Sequence, residues 1–406
     1  MRETGPRRHL YDSVPAQTLI ALSLNVISLF AGGLFSVFNP YFEGHPWILA
    51  LFPPILTLRG GIGGIFSGNL STMLHLGLIR PRLRGNTRQY NELVSAVFVI
   101  TLIDTQAMGL IAFMLNLVFG RVSLGKLVIF LVVPTVSLVL ARLVTVPLTS
   151  LIAITTFKKG LDPDILVYPI LASLNDIMVT ASFVLTVFLF LLGGMYHYLL
   201  GGIFVLILGF SLYLAWRNRR VEFFHQTLRE GTAVVILASL FGSANGIFLS
   251  GLSERILSNP GLIVAYPALT NALGNIGSIV GSTTTTNLAL GYGKNLREEA
   301  RDSLSTIIRV ESIALLMHVV FGVIAYAIVR PAQPEVNVFF LVGVAVLSNL
   351  STFLVASVFS IVIAYQSFER GLNPDNVVIP VITTISDTVA TLAIVPALAV
   401  VTFLIR

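Results

Sequence analysis

Four acidic residues, Asp104, Asp176, Glu311 and Asp387, stand inside stretches that are otherwise almost free of charge. A carboxylate at the centre of an apolar helix costs about 2.5–3.5 kcal/mol on insertion scales, so one retained there is a functional candidate whose partner must be found. Asp176 and Asp387 are the strongest of the four. Each is followed one helical turn later by a threonine, Thr180 or Thr391, and preceded on the same face by a proline, Pro169 or Pro380. Such a proline frees a backbone carbonyl from its helical hydrogen bond. Carboxylate, hydroxyl and carbonyl oxygens, with no sulfur among them, are the donors taken by a hard cation such as Mg²⁺, which keeps several of its waters. Two carboxylates facing one cavity repel each other unless a cation or a proton lies between them. The competing reading is a neutral carboxyl hydrogen-bonded within a helix–helix contact.

The remaining polar residues at depth carry weaker signals. Asn271, Asn275 and Asn287, with the hydroxyls of Ser282, Thr283, Thr284, Thr285 and Thr286, offer oxygens to a partly dehydrated ion, but such side chains also bond across membrane helices with no transport role. Asp104 and Arg142 lie deep in their stretches and form a candidate structural ion pair, with an ion relay as the second reading. Arg59, beside Gly60 and Gly61, is a candidate gate or carboxylate partner, and backbone carbonyls alone are the competing account. Gly60 and Gly274 are the glycines at the corresponding candidate gate positions. Glu311 is expected to snorkel near Arg309. His75, His197 and His318 are scattered singly, which suits packed or interfacial groups better than metal ligands.

Membrane helices must position these groups. Of 406 residues, 55% are apolar and only 11% charged, far below the roughly 25% charged content of soluble domains. The absence of cysteine excludes a disulfide scaffold and any thiolate metal site. A helix needs about 20 residues to cross a bilayer, and the charge-free windows yield eleven spans: 15–38, 47–78, 92–118, 127–157, 164–192, 198–216, 231–253, 261–291, 303–329, 337–368 and 375–405. The fifth and sixth are divided by a turn at Gly193-Gly194. Prolines and glycines crowd the second and eighth, which are expected to be broken and to line a pathway. Placing the N-terminus in the cytoplasm collects seventeen Lys and Arg on that face against five on the other, a positive-inside bias that leaves the C-terminus extracytoplasmic. The net charge of +6 is then topological, and no nucleic-acid partner is expected. The first apolar run is too long for a cleavable signal and is expected to remain in the mature protein.

The chain repeats itself. Residues 46–77 lie on 260–291 at an offset of 214, pairing Pro53 with Pro267, Gly60 with Gly274 and Gly63 with Gly277. The same offset pairs Gly32 with Gly246. An offset of 211 lays Gly160-Leu161-Asp162-Pro163-Asp164 on Gly371-Leu372-Asn373-Pro374-Asp375, and pairs Asp176 with Asp387 and Thr180 with Thr391. The expected architecture is an all-α polytopic membrane protein: two parallel five-helix repeats joined by a linker helix, with the broken helices at the repeat interface. Its segments are a short cytoplasmic N-terminus (1–12), a first repeat (13–193), a linker helix and loop (194–226) and a second repeat (227–406). The odd linker span returns the chain to its starting face and makes the repeats parallel. The duplication predicts that one chain works as a complete unit.

The stretch Leu58-Arg59-Gly60-Gly61 leading to Leu70-Ser71-Thr72-Met73-Leu74-His75-Leu76-Gly77, and the run from Asn373 to Asp387, resemble the membrane domain of MgtE-type magnesium transporters. The two-copy layout is similar to the solute-carrier family 41 branch. The resemblance implies Mg²⁺ transport through a pore between two five-helix units, with Asp176 and Asp387 near the ion and oxygens such as that of Asn275 around them. Departures are Gly60-Gly61 where the family has Gly-Asn, which Gly274-Asn275 retains, and Asn69 where a basic residue is expected. The partners so implied are the divalent cation and the lipid bilayer, with Na⁺ or H⁺ as candidate coupling ions. No organic cofactor and no enzymatic activity are expected, since the chain has no phosphate-binding loop and no nucleophile with a base in reach. A proton- or Na⁺-coupled transporter of an organic cation is the alternative.

Overall fold

A computed structural model describes residues 6–42, 44–158, 163–251, 259–289, 296–370 and 374–405. Among them are eleven helices long and apolar enough to cross a membrane, and no strand. They are α1 (Pro6–Ser36), α2 (Trp47–His75), α3 (Arg88–Val118), α4 (Leu127–Lys158), α5 (Pro163–Leu192), α6 (Met195–Arg217), α7 (Glu222–Gly251), α8 (Gly261–Ala289), α9 (Leu296–Val329), α10 (Val338–Glu369) and α11 (Pro374–Ile405). The charge-free windows predict all eleven. Three helices begin well before their apolar windows, because polar first turns extend α1, α7 and α9. Local chemistry sets other ends: the Thr87 hydroxyl accepts from the Tyr90 amide ahead of α3, and the Asn337 side chain accepts from the Phe339 amide ahead of α10. Gly193 and Gly194 both take positive φ, 68° and 52°, and turn the chain sharply between α5 and α6. The His197 ring donates to the Phe190 carbonyl at 3.0 Å, closing the end of α5.

The helices divide into two compact units, Leu34–Pro260 and Met1–Gly33 with Gly261–Arg406. In the first, α2 packs against α3, α4, α5 and α7, while α6 lies outside against α3, α4 and α5. The linker helix buries Leu200, Ile207 and Leu214 against Ala96, Phe98, Val136 and Phe224 and leaves Tyr198, Val205, Leu206 and Phe210 exposed, a pattern suited to contact with lipid acyl chains. In the second unit α8 packs against α9, α10 and α11, with α10 also between α9 and α11.

The folded units are therefore not the sequence repeats, because each repeat's first helix sits with the other repeat's remaining four. Gly246 on α7 is pressed onto the Ala50 carbonyl of α2, and its repeat equivalent Gly32 on α1 is pressed onto the Val264 carbonyl of α8. Ala50 and Val264 are themselves equivalent. The same register recurs one turn away: Asn271 of α8 donates to Ser28 of α1 at 3.0 Å, and at the matching positions of the other unit Thr57 lines the space beside Gly242. Close glycine contacts also repeat further on, Gly109 against the Phe130 carbonyl and Gly322 against the Val342 backbone.

The breaks expected in α2 and α8 are not found. Both run as uninterrupted helices through Pro53 and Pro54, and through Pro267. The exchanged helices supply the reason. Pro54 frees the Ala50 carbonyl and Pro267 frees the Ile263 carbonyl. Gly246 covers the former, and Gly32 lies so close to the latter that a Cβ there would come within 2.7 Å of the Ile263 oxygen. Glycine backbone thus lies against these carbonyls, where any side chain would collide with them.

Candidate functional site

Asp176 is fully buried at mid-helix in α5. Facing it from α2 is Arg59, only 5% exposed, whose Nη1 lies 2.8 Å from the Asp176 Oδ1. The same nitrogen donates to the Ala172 carbonyl at 2.5 Å, one turn before Asp176 on α5. The Arg59 Nε donates to the Leu56 carbonyl at 3.4 Å. Both sequence readings of Arg59, carboxylate partner and carbonyl donor, are thus realised together. Two glycines of α2 lie near this cluster without being required by it. A Cβ on Gly63 would lie 3.4 Å from the Asn175 amide nitrogen and 3.8 Å from Arg142 Nη1, while one on Gly60 would meet nothing within 4 Å.

Arg142, from α4, donates through Nη2 to the backbone carbonyl of Arg59 at 3.3 Å. The expected pair with Asp104 does not form. Both oxygens of Asp104 are buried without a hydrogen-bond partner, as is the Arg142 Nε. The physical reason on the arginine side is that Arg142 is turned to the backbone carbonyl of Arg59 on α2. Glu311 accepts from Asn349 at 2.7 Å, a contact across α9 and α10 in place of simple snorkelling. His318 points its Nδ1 at the Ala314 carbonyl of its own helix, 2.7 Å away, as a packed histidine would.

In the other unit Asp387 is half-buried on α11. Thr391 donates to the Asp387 backbone carbonyl at 2.7 Å, and the Tyr266 hydroxyl from α8 lies 2.9 Å from the Thr391 hydroxyl. Thr180, the equivalent of Thr391, is buried with its hydroxyl unpartnered, because Phe52 stands where the other repeat has Tyr266. Asn275 donates to the Asn25 Oδ1 of α1 at 3.0 Å. Gly274 lies near Thr383, whose Cγ2 would be 3.6 Å from an added Cβ. Gly277, the repeat equivalent of Gly63, is packed more tightly: a Cβ there would lie 2.6 Å from Ile382 Cγ2, 3.0 Å from Ser360 Oγ and 3.4 Å from the Oγ of Ser386, the equivalent of Asn175. The side chains of Ser71, Thr72, His75, Pro169, Ser282, Thr283, Thr285, Thr286, Asn287 and Pro380, and the loops at 160–162 and 371–373, lie outside the described residues. No cluster of three or more His, Cys, Asp or Glu occurs among the described residues.

The MgtE family model, described as a divalent cation transporter, matches residues 52–186 and 266–396. The chain belongs to the MgtE family. The two matched regions cover α2–α5 and most of α8–α11, so each contains one of the paired aspartates, and this MgtE-family chain carries the domain twice. Solute carrier family 41 member 3 of Mus musculus is 26% identical over 297 residues, 70% of this chain and 59% of the relative. The protein of the same name from Rattus norvegicus is 25% identical over 289 residues, 68% of this chain and 60% of the relative. The chain thus spans about three fifths of the length of these curated relatives. No solved structure matches. The family and the apolar helices together make this a multi-pass membrane protein of a divalent cation transporter family.

Several residues beside these candidates in the two units of the MgtE-family chain carry little signal in the sequence alone. Asn25, an amide inside the charge-free first span, was the missed signal for an interhelical partner. Tyr266 was marked by standing opposite Phe52 in the repeat. The Ala172 carbonyl had no signal, since backbone acceptors are visible only in three dimensions.

Proposed function

We propose that this protein moves Mg²⁺, or a related hard divalent cation, across the cell membrane, with Asp176 and Asp387 as the carboxylates that attract and hold a largely hydrated ion. The observation that carries this reading is that both matched family regions bring an aspartate to the same mid-helix position, deep in an apolar span. A hydroxyl follows each one turn on, at Thr180 and Thr391, which suits a hard cation that keeps part of its water shell. Asn275 on α8, whose amide nitrogen donates to Asn25 of α1, is a further candidate oxygen donor to the ion. The N-terminus lies in the cytoplasm, as the distribution of Lys and Arg favours, and one chain with two repeats forms the transporting unit. The protein acts without an organic cofactor and without catalysing a reaction.

The test is divalent flux into liposomes containing the purified chain, read with a Mg²⁺-sensitive dye with and without an opposing Na⁺ gradient. Saturable Mg²⁺ entry is expected. Flux that follows the Na⁺ gradient would define an exchanger, and Na⁺-independent flux a channel or uniporter. Absence of Mg²⁺ flux under both conditions, with transport of an organic cation instead, would refute the assignment.

A further inference from the structure

We infer that Arg59 is a tethered cation that competes with the transported divalent ion for Asp176, so that the two repeats hold their carboxylates in different ways. This rests on the reading of Asp176 as a cation-binding group. The guanidinium lies 2.8 Å from the carboxylate and is fixed to the same helix through the Ala172 carbonyl. Both side chains are withdrawn from solvent, with 6% and 1% exposure. Arg142 secures the backbone of Arg59 from behind, so the cluster is a built contact among three helices rather than a passing one.

None of these parts is repeated. Leu273 stands at the Arg59 position and Thr383 at the Ala172 position, and residues 350–355, in register with Arg142, carry no charge. Asp387 is half-buried where Asp176 is fully buried. The first repeat thus brings an arginine to its aspartate from a position where the second repeat has a leucine.

The physical consequence follows from charge. The guanidinium attracts the carboxylate, and that attraction must be given up before another cation can take the carboxylate. A divalent ion brings twice the charge of the guanidinium and can displace it, whereas a monovalent ion offers no electrostatic advantage. When no divalent ion is present, Arg59 keeps Asp176 from being an uncompensated charge in an apolar interior. Arg59 is in this sense a selectivity-setting residue that acts through Asp176.

The experiment is Mg²⁺ titration of the purified full-length chain in lipid nanodiscs, together with Mg²⁺ flux in liposomes. Arg59→Gln keeps a donor for the Ala172 carbonyl and removes the charge; it is expected to lower the half-saturating Mg²⁺ concentration about tenfold or more. Arg59→Lys, which keeps the charge, is expected to stay near wild type. In an Asp176→Asn background, Arg59→Gln should no longer shift the half-saturation. An unchanged or raised half-saturation in folded Arg59→Gln, or a shift that persists without Asp176, overturns the inference. Arg59→Leu, which copies the other repeat, serves if Gln does not fold. Failure of both to fold while Arg59→Lys folds makes the pair a structural clamp and also overturns it. A wild-type chain that shows no saturable Mg²⁺ binding removes the functional reading itself, and this inference with it.

Discussion

Replacing one member of the Arg59–Asp176 pair should be far more damaging than replacing both. The pair is almost completely withdrawn from solvent, so Asp176→Leu leaves a buried guanidinium, and Arg59→Leu a buried carboxylate, without the partner that lies 2.8 Å away. Breaking a buried pair in this way costs about 3–5 kcal/mol, whereas exchanging the whole pair for apolar residues is often neutral or stabilising. For a chain of this size the single variants should lose roughly 4–6 °C in apparent melting temperature, and the double variant Arg59→Leu/Asp176→Leu should return close to wild type. Leucine at position 59 is already proven in this fold by Leu273 at the equivalent position. The assay is thermal unfolding in detergent followed by tryptophan emission, for which Trp47, buried in α2, is a local reporter. Added Mg²⁺ should recover part of the loss in Arg59→Leu, because an ion bound to the freed carboxylate stabilises the folded state, and should not do so in Asp176→Leu. A double variant as unstable as the sum of the two singles would show that the groups are not energetically coupled and would refute the reasoning.

Asp387→Asn should reduce Mg²⁺ flux more than tenfold while changing stability by no more than about 1 kcal/mol, since the substitution keeps the shape of this half-buried side chain; normal flux in liposomes would defeat its assignment. Tyr266→Phe copies Phe52 and removes the hydroxyl that meets Thr391; a loss of about 1 kcal/mol should appear as a few-fold change in half-saturating Mg²⁺, and complete loss of flux would mean that the hydroxyl touches the ion. Gly246→Ala drives a Cβ into the Ala50 carbonyl and should cost about 1–3 kcal/mol. Gly202→Ala on the linker helix meets nothing within 4 Å and should be neutral or stabilising by about 0.5–1 kcal/mol, so equal melting temperatures for these two alanine variants would contradict the packing described.

The helix inventory was legible because lipid imposes a simple rule: long charge-free windows must span, and the spans must be helical. The repeat was legible through prolines and glycines, whose backbone roles resist replacement. The continuity of α2 and α8 was not, because Pro54 and Pro267 signal a lost hydrogen bond without revealing that a glycine from a distant helix covers the freed carbonyl. Asp176 could be singled out by its cost in the membrane. That Arg59 is its partner could not, since Arg59 and Asp176 lie on different helices and the repeat replaces only one of them. Asp104 and Arg142 illustrate the same limit from the other side: two opposite charges at depth suggested a pair, while the helix faces that decide the matter are tertiary.

The exchange of first helices has a consequence for biosynthesis. Leu34–Pro260 is one contiguous stretch, so its unit can close as soon as α7 leaves the ribosome. The opening helix of the chain must wait in the bilayer for α8, more than 220 residues later, a delay on the order of ten seconds or more at about 5–20 residues per second. During that interval the carbonyl-seeking face at Gly32, with Asn25 and Ser28 beside it, has no partner, and the insertion machinery or lipid must shelter it. A chain cut in the loop between α6 and α7 would not yield two self-sufficient halves, since each fragment would carry a helix that completes the other. Assembly of such fragments should require that both be made together in the same membrane.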